Sequence, residues 1–127
     1  MANQFIPYGR QHITQTDIDA VVAVLQSDFL TQGSQVPAFE ERVATYTGAK
    51  FGVAVNSATS ALHIACLALG LGQGEKGKDD WLWTTPITFT ASANCGLYCG
   101  ANIDFVDIDP LTLNMSIDAL AEKLQLA

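Results

Sequence analysis

Short apolar runs alternate with helical patterns along the second part of this sequence. The apolar runs are 51–55, 81–84 and 102–106, and the helical patterns that follow them are 59–69, 89–98 and 116–124. Strands that alternate with helices of this length are typical of right-handed βαβ units and a parallel sheet. The predicted fold class is therefore α/β, with parallel strands that need cover on both faces.

Two helices are predicted before residue 51. The first has Thr16 as its cap and an apolar face, which is formed by Ile18, Val21, Val22 and Leu25. The second begins with Pro37 at its first position and ends at Gly48. The intervening segments 27–35 and 73–80 are predicted loops. We expect a single incomplete domain over 1–127, with N-terminal helices in 1–50 and the start of an α/β domain in 51–127.

The charge and the cysteines limit the function classes. Six basic and 13 acidic residues give a formal net charge of −7, which argues against binding to a nucleic-acid backbone. The sequence shows neither a signal-peptide pattern nor an apolar run long enough to cross a membrane. Its three cysteines lack disulfide spacing, so we expect reduced thiols and a cytoplasmic protein. Cys95 and Cys99 are four residues apart, but no second ligand pair lies nearby, and packing is the simpler role.

Residues 56–62 form the segment most informative about function. They follow the first apolar run with the sequence Asn-Ser-Ala-Thr-Ser-Ala-Leu and open a helical pattern. The first N–H groups of a helix have no partner within it and carry partial positive charge, so this turn is a candidate anion site, most often for a phosphate. A plain helix cap explains the same residues equally well.

The ends of the next two strands offer weaker signals. Phe89 follows the second run, where an aromatic ring either stacks on a flat ligand or belongs to the core. Asp104 lies within the third run, and Asp107 and Asp109 follow it. These aspartates lack the glycine and distal glutamate of a calcium loop, so no metal is predicted. Because the sequence has neither a Gly-x-Gly-x-x-Gly turn nor a Walker lysine, the remaining ligands are pyridoxal phosphate, flavin mononucleotide or a sugar phosphate.

Several motifs, in their order and spacing, resemble one family. This family comprises the sugar-nucleotide aminotransferases of DegT/DnrJ/EryC1/StrS type, which have the aspartate-aminotransferase fold and use pyridoxal 5'-phosphate. Within it the sequence is most similar to the branch that aminates C4 of a UDP-linked 4-keto-6-deoxy N-acetyl sugar for pseudaminic acid. The resemblance covers 5–126, and its motifs are Tyr8-Gly9, Phe29-Leu30-Thr31-Gln32-Gly33, Phe39-Glu40, 56–62 and 84–89.

The resemblance implies roles for individual residues. Ala58 and Thr59 would bind the cofactor phosphate, and Phe89 would stack on the pyridine ring. Tyr8 and the segment Asp28, Phe29, Leu30 and Thr31 would contact the sugar nucleotide. The implied amino donor is glutamate. The implied assembly is a homodimer with active sites at its interface, so that the 28–31 segment serves the neighbouring subunit.

One part of the family's machinery lies outside these 127 residues. The Schiff-base lysine and the aspartate at the pyridine nitrogen belong to a later part of family members, and Lys50, Lys76, Lys78 and Lys123 do not stand in the family's lysine motif. The 127 residues alone are therefore expected not to transaminate. The alternative hypotheses are a non-catalytic phosphate-binding or dimerisation fragment, and an unrelated flavodoxin-like phosphate binder.

Overall fold

Two helices come first along the chain, and a βαβ unit comes later. The computed structural model describes residues 7–77 and 79–126, and the chain divides into two compact units between Ala54 and Val55. The elements of the first unit are α1 (Gln15–Leu25) and α2 (Gln35–Thr47). Those of the second are α3 (Ala58–Ala68), α4 (Gly74–Gly77), β1 (Trp81–Thr84), α5 (Ala91–Tyr98), β2 (Asn102–Phe105) and α6 (Ile117–Leu126).

Helix α1 begins earlier than the sequence predicted. Its cap is Thr14 instead of Thr16, because the carboxylate of Asp17 accepts hydrogen bonds from both the backbone N–H and the hydroxyl of Thr14, each at 2.7 Å. The backbone bond, with the hydroxyl bond second, lowers the pKa of Asp17. This pairing closes the first turn in the manner of a capping box.

Helix α2 differs from its prediction at one end only. It begins at Gln35, so Pro37 is its third residue instead of its first. Proline is tolerated there because the N–H groups of the first turn have no partner within the helix. The predicted end is confirmed, since Gly48 follows Thr47 in the left-handed conformation with φ of 72°.

The strand predicted over 51–55 is wrong. The segment has no strand partner among the described residues, and apolar residues alone do not make a ladder. It is attached to α2 in another way. The backbone N–H of Ala54 donates to Oε1 of Glu40 at 2.8 Å, and Gly52 lies so close that an added Cβ would be 2.5 Å from the Glu40 carbonyl oxygen.

The second unit contains a two-stranded parallel sheet instead of the predicted three strands. β1 lies where the sequence placed it, and its register with β2 runs from Trp81 opposite Asn102 to Thr84 opposite Phe105. Helix α5 packs directly on one face, since a Cβ on Gly96 would meet Ile103 at 2.7 Å. The buried residues of this unit include Cys66, Ala91, Cys95, Ala101 and Val106.

Helix α6 contacts the strands through Lys123. Its ammonium pairs with the Asp104 carboxylate, donates to the Phe105 carbonyl at 3.1 Å and lies 5.3 Å from the centre of the Trp83 ring. Trp83 and Asp104 alternate with the residues that face α5, so α5 and α6 lie on opposite faces of the sheet. Two apolar side chains of α6, Ile117 and Leu124, are 80% and 62% exposed.

Two connecting segments have local structure of their own. Asp109 forms a turn, in which Oδ1 of its carboxylate accepts the N–H groups of Leu111 and Thr112. The 73–80 segment, predicted as a loop, contains the short helix α4. Across the described part of the chain, no helix has the length and apolar character needed to cross a membrane.

Candidate functional site

The first turn of α3 is built around a serine cap. Ser57 lies in extended conformation, with φ of −160° and ψ of 157°, and its Oγ accepts the backbone N–H of Ser60 at 3.1 Å. The helix begins at Ala58, one residue before the predicted start. Ser57 satisfies the third N–H of the helix, as an N-cap side chain commonly does.

The side chain of Asn56 extends this cap into a network. The Ser60 hydroxyl donates to Oδ1 of Asn56 at 2.7 Å, and the Ser57 hydroxyl donates to Oγ of Ser60 at 3.0 Å. Ser57 Oγ also lies 3.5 Å from the same Asn56 oxygen. The three side chains therefore hold one another in place at the start of α3. All three residues lie in the segment 56–62, but no role was predicted for any of them. The Asn-Ser-x-x-Ser spacing is the sequence signal that could have indicated this network.

The network leaves two N–H groups for a ligand. Those of Ala58 and Thr59 take part in no hydrogen bond of the described structure, and neither does the Thr59 hydroxyl. Ala58 is exposed and Thr59 is half-buried. Two adjacent N–H donors and a hydroxyl at the positive end of a helix are the donor set that a phosphate monoester requires. The residues present thus fit the phosphate of a cofactor.

Phe89 lies just before α5, the helix that packs against α3. Its ring is 72% exposed, which excludes the core role within this unit. The helix starts at Ala91, so Phe89 precedes it instead of opening it as predicted. The Phe89 carbonyl accepts the N–H of Ser92 at 2.9 Å, and the Thr88 and Ser92 hydroxyls lie 3.2 Å apart. These two contacts attach Thr88 and Phe89 to the first turn of α5, while the Phe89 side chain stays exposed.

The carboxylates near the end of β2 have local partners. Lys123, and after it the Phe105 N–H, lower the pKa of Asp104, and the N–H groups of Thr112 and Leu111 lower that of Asp109. Asp107 accepts the N–H of Ile108 at 2.8 Å. Among the described residues no group of histidine, cysteine and carboxylate side chains is arranged to hold a metal ion.

The three cysteines lie where α3 packs against α5. Cys66 and Cys95 are buried, and Cys99 is half-buried. Burial, followed by the neighbouring Cys95 and Cys99 thiols, raises the pKa of Cys66 to about 11. A thiol with so high a pKa is protonated at neutral pH and acts as a small apolar side chain.

The residues expected to contact a sugar nucleotide lie in the first unit. Phe29 and Leu30 line a cavity of about 350 Å³ between the end of α1 and the start of α2, together with residues such as Val24 and Gln32. Gly33 lies tightly against this loop, because an added Cβ would be 3.0 Å from the Phe29 carbonyl oxygen. Asp28 and Thr31 are exposed in the same loop, and Tyr8 is fully exposed outside this cavity.

Comparison with known proteins identifies the family. Residues 11–126 match the model of the DegT/DnrJ/EryC1/StrS aminotransferase family. The chain belongs to this family. A relative in Campylobacter jejuni, UDP-4-amino-4,6-dideoxy-N-acetyl-beta-L-altrosamine transaminase, is 46% identical over 103 residues, which cover 81% of this chain and 26% of the relative. The resemblance inferred from the motifs is thus confirmed.

Solved structures of aminotransferases share the fold. A putative sugar aminotransferase from Streptococcus pneumoniae, Spr1654 in its PLP-form, has a TM-score of 0.82 and 32% identity over 92% of this chain and 29% of its own. Helicobacter pylori PseC, an aminotransferase involved in the biosynthesis of pseudoaminic acid, has a TM-score of 0.80 and 33% identity over 91% of this chain and 30% of its own. The predicted α/β class with parallel strands is confirmed, and the chain spans under a third of the length of these relatives.

The lysines of this family member have other partners where they are described. Lys123 pairs with Asp104, and the Lys50 ammonium lies 5.2 Å from the centre of the Phe51 ring. Lys78 and the side chain of Lys76 lie outside the described residues. Lys123 is thus held in an ion pair, and Lys50 lies beside an aromatic ring.

Proposed function

We propose that the protein carrying this chain is a pyridoxal-phosphate-dependent aminotransferase acting on a nucleotide sugar. The amino group of glutamate would pass to the C4 keto group of a UDP-linked 4-keto-6-deoxy N-acetyl sugar, as a step towards a surface glycan such as pseudaminic acid. The observation that carries the proposal is the donor set at the start of α3 in a chain of this family. The identity to the Campylobacter transaminase supports the choice of sugar.

The residues of this chain would bind and orient the cofactor, and the cofactor would supply the chemistry of amino-group transfer. When bound, pyridoxal phosphate supplies an electron sink for amino-group transfer. The N–H groups of Ala58 and Thr59 and the Thr59 hydroxyl would bind the phosphate. The exposed ring of Phe89 would cover one face of the pyridine ring and exclude water from it.

The first unit would supply part of the sugar-nucleotide site. Tyr8 offers an exposed phenol, and Asp28 to Thr31 form a loop with both apolar and polar side chains. The family resemblance supports a homodimer in which this loop serves the active site of the neighbouring subunit.

The direct test is transamination by the natural polypeptide that carries this sequence. It is incubated with pyridoxal phosphate, glutamate and the UDP-linked 4-keto sugar, and the products are analysed by mass spectrometry. We expect a 4-amino sugar and 2-oxoglutarate in equal amounts. Turnover of a different keto sugar alone would reject the proposed substrate, and absence of any transamination would reject the proposed activity.

The 127 residues by themselves are proposed to be inactive. In the described part, the Lys123 ammonium is held by Asp104, and the family resemblance implies that the Schiff-base lysine belongs to a later part of family members. Borohydride reduction of the isolated chain with pyridoxal phosphate should therefore label no single lysine selectively. Stoichiometric labelling of one lysine would contradict this proposal.

A further inference from the structure

The side chain of Asn56 has no role in the proposed function, yet it is the acceptor at the end of the network that begins α3. Its Oδ1 accepts the Ser60 hydroxyl proton at 2.7 Å, the shortest bond of the network. A hydroxyl has one proton to donate. Asn56 therefore takes the proton that Ser60 would otherwise offer to an incoming anion.

The Ser60 oxygen, turned by this bond, accepts from Ser57. The Ser57 hydroxyl donates to it at 3.0 Å, and the Ser57 oxygen in turn accepts the Ser60 backbone N–H at 3.1 Å. Both donors of Ser60 are thus occupied within the turn. The unoccupied donors are those of the two residues before it, Ala58 and Thr59.

This arrangement determines which groups remain for a phosphate. Without an acceptor at position 56, the Ser60 hydroxyl rotates freely, and the cap loses the contact that orients Ser57. The N–H groups of Ala58 and Thr59 then have to be ordered when the ligand binds, and that ordering lowers affinity. A turn arranged before binding avoids this loss.

We propose that Asn56 is a positioning residue of the phosphate turn. Through Ser60, it holds Ser57 as the cap of the third N–H, and it thereby keeps the unpaired N–H groups of Ala58 and Thr59 aligned for the cofactor phosphate. The proposal rests on the proposed function in that it takes pyridoxal phosphate as the ligand. In this proposal, Asn56 does not contact the ligand.

The test compares two ligands that differ only in the phosphate. Dissociation constants of the natural polypeptide are measured by absorbance for pyridoxal phosphate and for pyridoxal, with wild type, Asn56→Ala, Ser60→Ala and the double variant. We expect either single variant to weaken binding of pyridoxal phosphate about threefold to tenfold, which corresponds to the loss of one hydrogen bond. Binding of pyridoxal should change by less than about twofold, since it has no phosphate for the turn to hold.

The double variant tests whether Asn56 acts on phosphate binding through Ser60. Because Asn56 acts through Ser60, its loss should add nothing once Ser60 has lost its hydroxyl, so the double variant should match the weaker-binding single variant. Hydrogen exchange of the Ser60 amide, which donates to Ser57 Oγ, should accelerate in both single variants in the free protein. Asn114→Ala is the matched control, because the exposed Asn114 side chain forms no hydrogen bond in the described structure.

Each result separates this inference from the proposed function. If wild type binds pyridoxal phosphate no better than pyridoxal, the phosphate site itself is wrong, and the inference falls with it. If wild type prefers pyridoxal phosphate and Asn56→Ala binds it equally well, the site stands and the role of Asn56 is rejected. Equal weakening for both ligands, or additive effects in the double variant, would also reject it.

Discussion

Glu40 of α2 accepts a hydrogen bond from the backbone N–H of Ala54, with 2.8 Å between that nitrogen and Oε1. The residues are 14 positions apart, so the bond fixes the segment after α2 against that helix. Phe39-Glu40 was one of the motifs on which the family resemblance rested. The structure gives this glutamate a structural role, since it receives a backbone group that has no strand partner.

Replacing Glu40 should destabilise the first unit. Glu40→Ala removes a charged acceptor from a part-buried N–H group, and we expect the free energy of unfolding to fall by about 1–3 kcal/mol. Urea denaturation of the natural polypeptide measures this change. Glu41→Ala is the matched control because Glu41 is exposed, and an equal loss in the control would contradict the assigned role.

Gly52 should tolerate no side chain. A Cβ at this position would lie 2.5 Å from the Glu40 carbonyl oxygen, and that atom belongs to the helix backbone and moves only with the helix. Gly52→Ala is therefore expected to lower the free energy of unfolding by about 1–3 kcal/mol, as overpacking does. Gly9→Ala is the control, because its methyl group would have no atom within 4 Å. The thermal unfolding midpoint of this variant should be close to that of wild type. A neutral effect of Gly52→Ala would mean that this close approach is absent in solution.

The Lys123–Asp104 pair predicts a pH dependence of stability. Lys123, through its hydrogen bond, lowers the pKa of Asp104 in the folded state. A group with a lowered folded pKa stabilises the protein above its unfolded pKa, about 4 for aspartate, and this contribution is lost as the pH falls through the folded value. The free energy of unfolding should thus decrease on acidification below about pH 4.

Asp104→Asn should remove that component of the pH profile. The difference in unfolding free energy between wild type and variant should be largest near neutral pH and shrink on acidification, as measured by urea denaturation at a series of pH values. Glu122→Gln removes one exposed carboxylate from α6, next to Lys123 in sequence, and is the control. If the difference in unfolding free energy between Asp104→Asn and wild type is the same at every pH, the ion pair does not cause the pH dependence of stability.

The elements formed by local sequence were predictable, and those that need a distant partner were not. β1 was predicted at its observed bounds because a short apolar run lies between turn residues. The 51–55 run has the same apolar character, but the described chain supplies no neighbouring strand, and the N–H group of Ala54 donates to Glu40 instead. Likewise, the contact of α6 with the strands depends on the Lys123 ammonium, which lies over the Trp83 ring and pairs with Asp104, both distant in sequence.

The free N–H groups at the start of α3 were predictable, but the side-chain network beside them was not. Small residues after an apolar run indicated a helix start with free N–H groups, the family resemblance implied Ala58 and Thr59, and the structure leaves those groups unpaired. The order in which Ser57, Ser60 and Asn56 share their protons depends on side-chain distances that no residue pattern specifies. The ligand-binding roles of Ala58, Thr59, Phe89, Tyr8 and the 28–31 loop stay predictions.

Thr59 should contribute to cofactor affinity through its hydroxyl. Thr59→Val keeps the shape and both backbone N–H groups but removes one donor, so we expect pyridoxal phosphate to bind about 1–2 kcal/mol more weakly. Equilibrium dialysis or absorbance titration measures the change. Thr45→Val makes the same replacement on the exposed surface of α2 and should leave the affinity unaltered. An unaltered affinity in Thr59→Val would remove this hydroxyl from the site.

The central claim is that the first turn of α3 binds the cofactor phosphate, and a crystal structure of the natural polypeptide with pyridoxal phosphate tests it most directly. The account predicts phosphate oxygens within hydrogen-bonding distance of the Ala58 and Thr59 nitrogens and the Thr59 hydroxyl, with Ser60 still bonded to Asn56. A phosphate bound elsewhere, with the Ala58 and Thr59 N–H groups facing solvent, would contradict it.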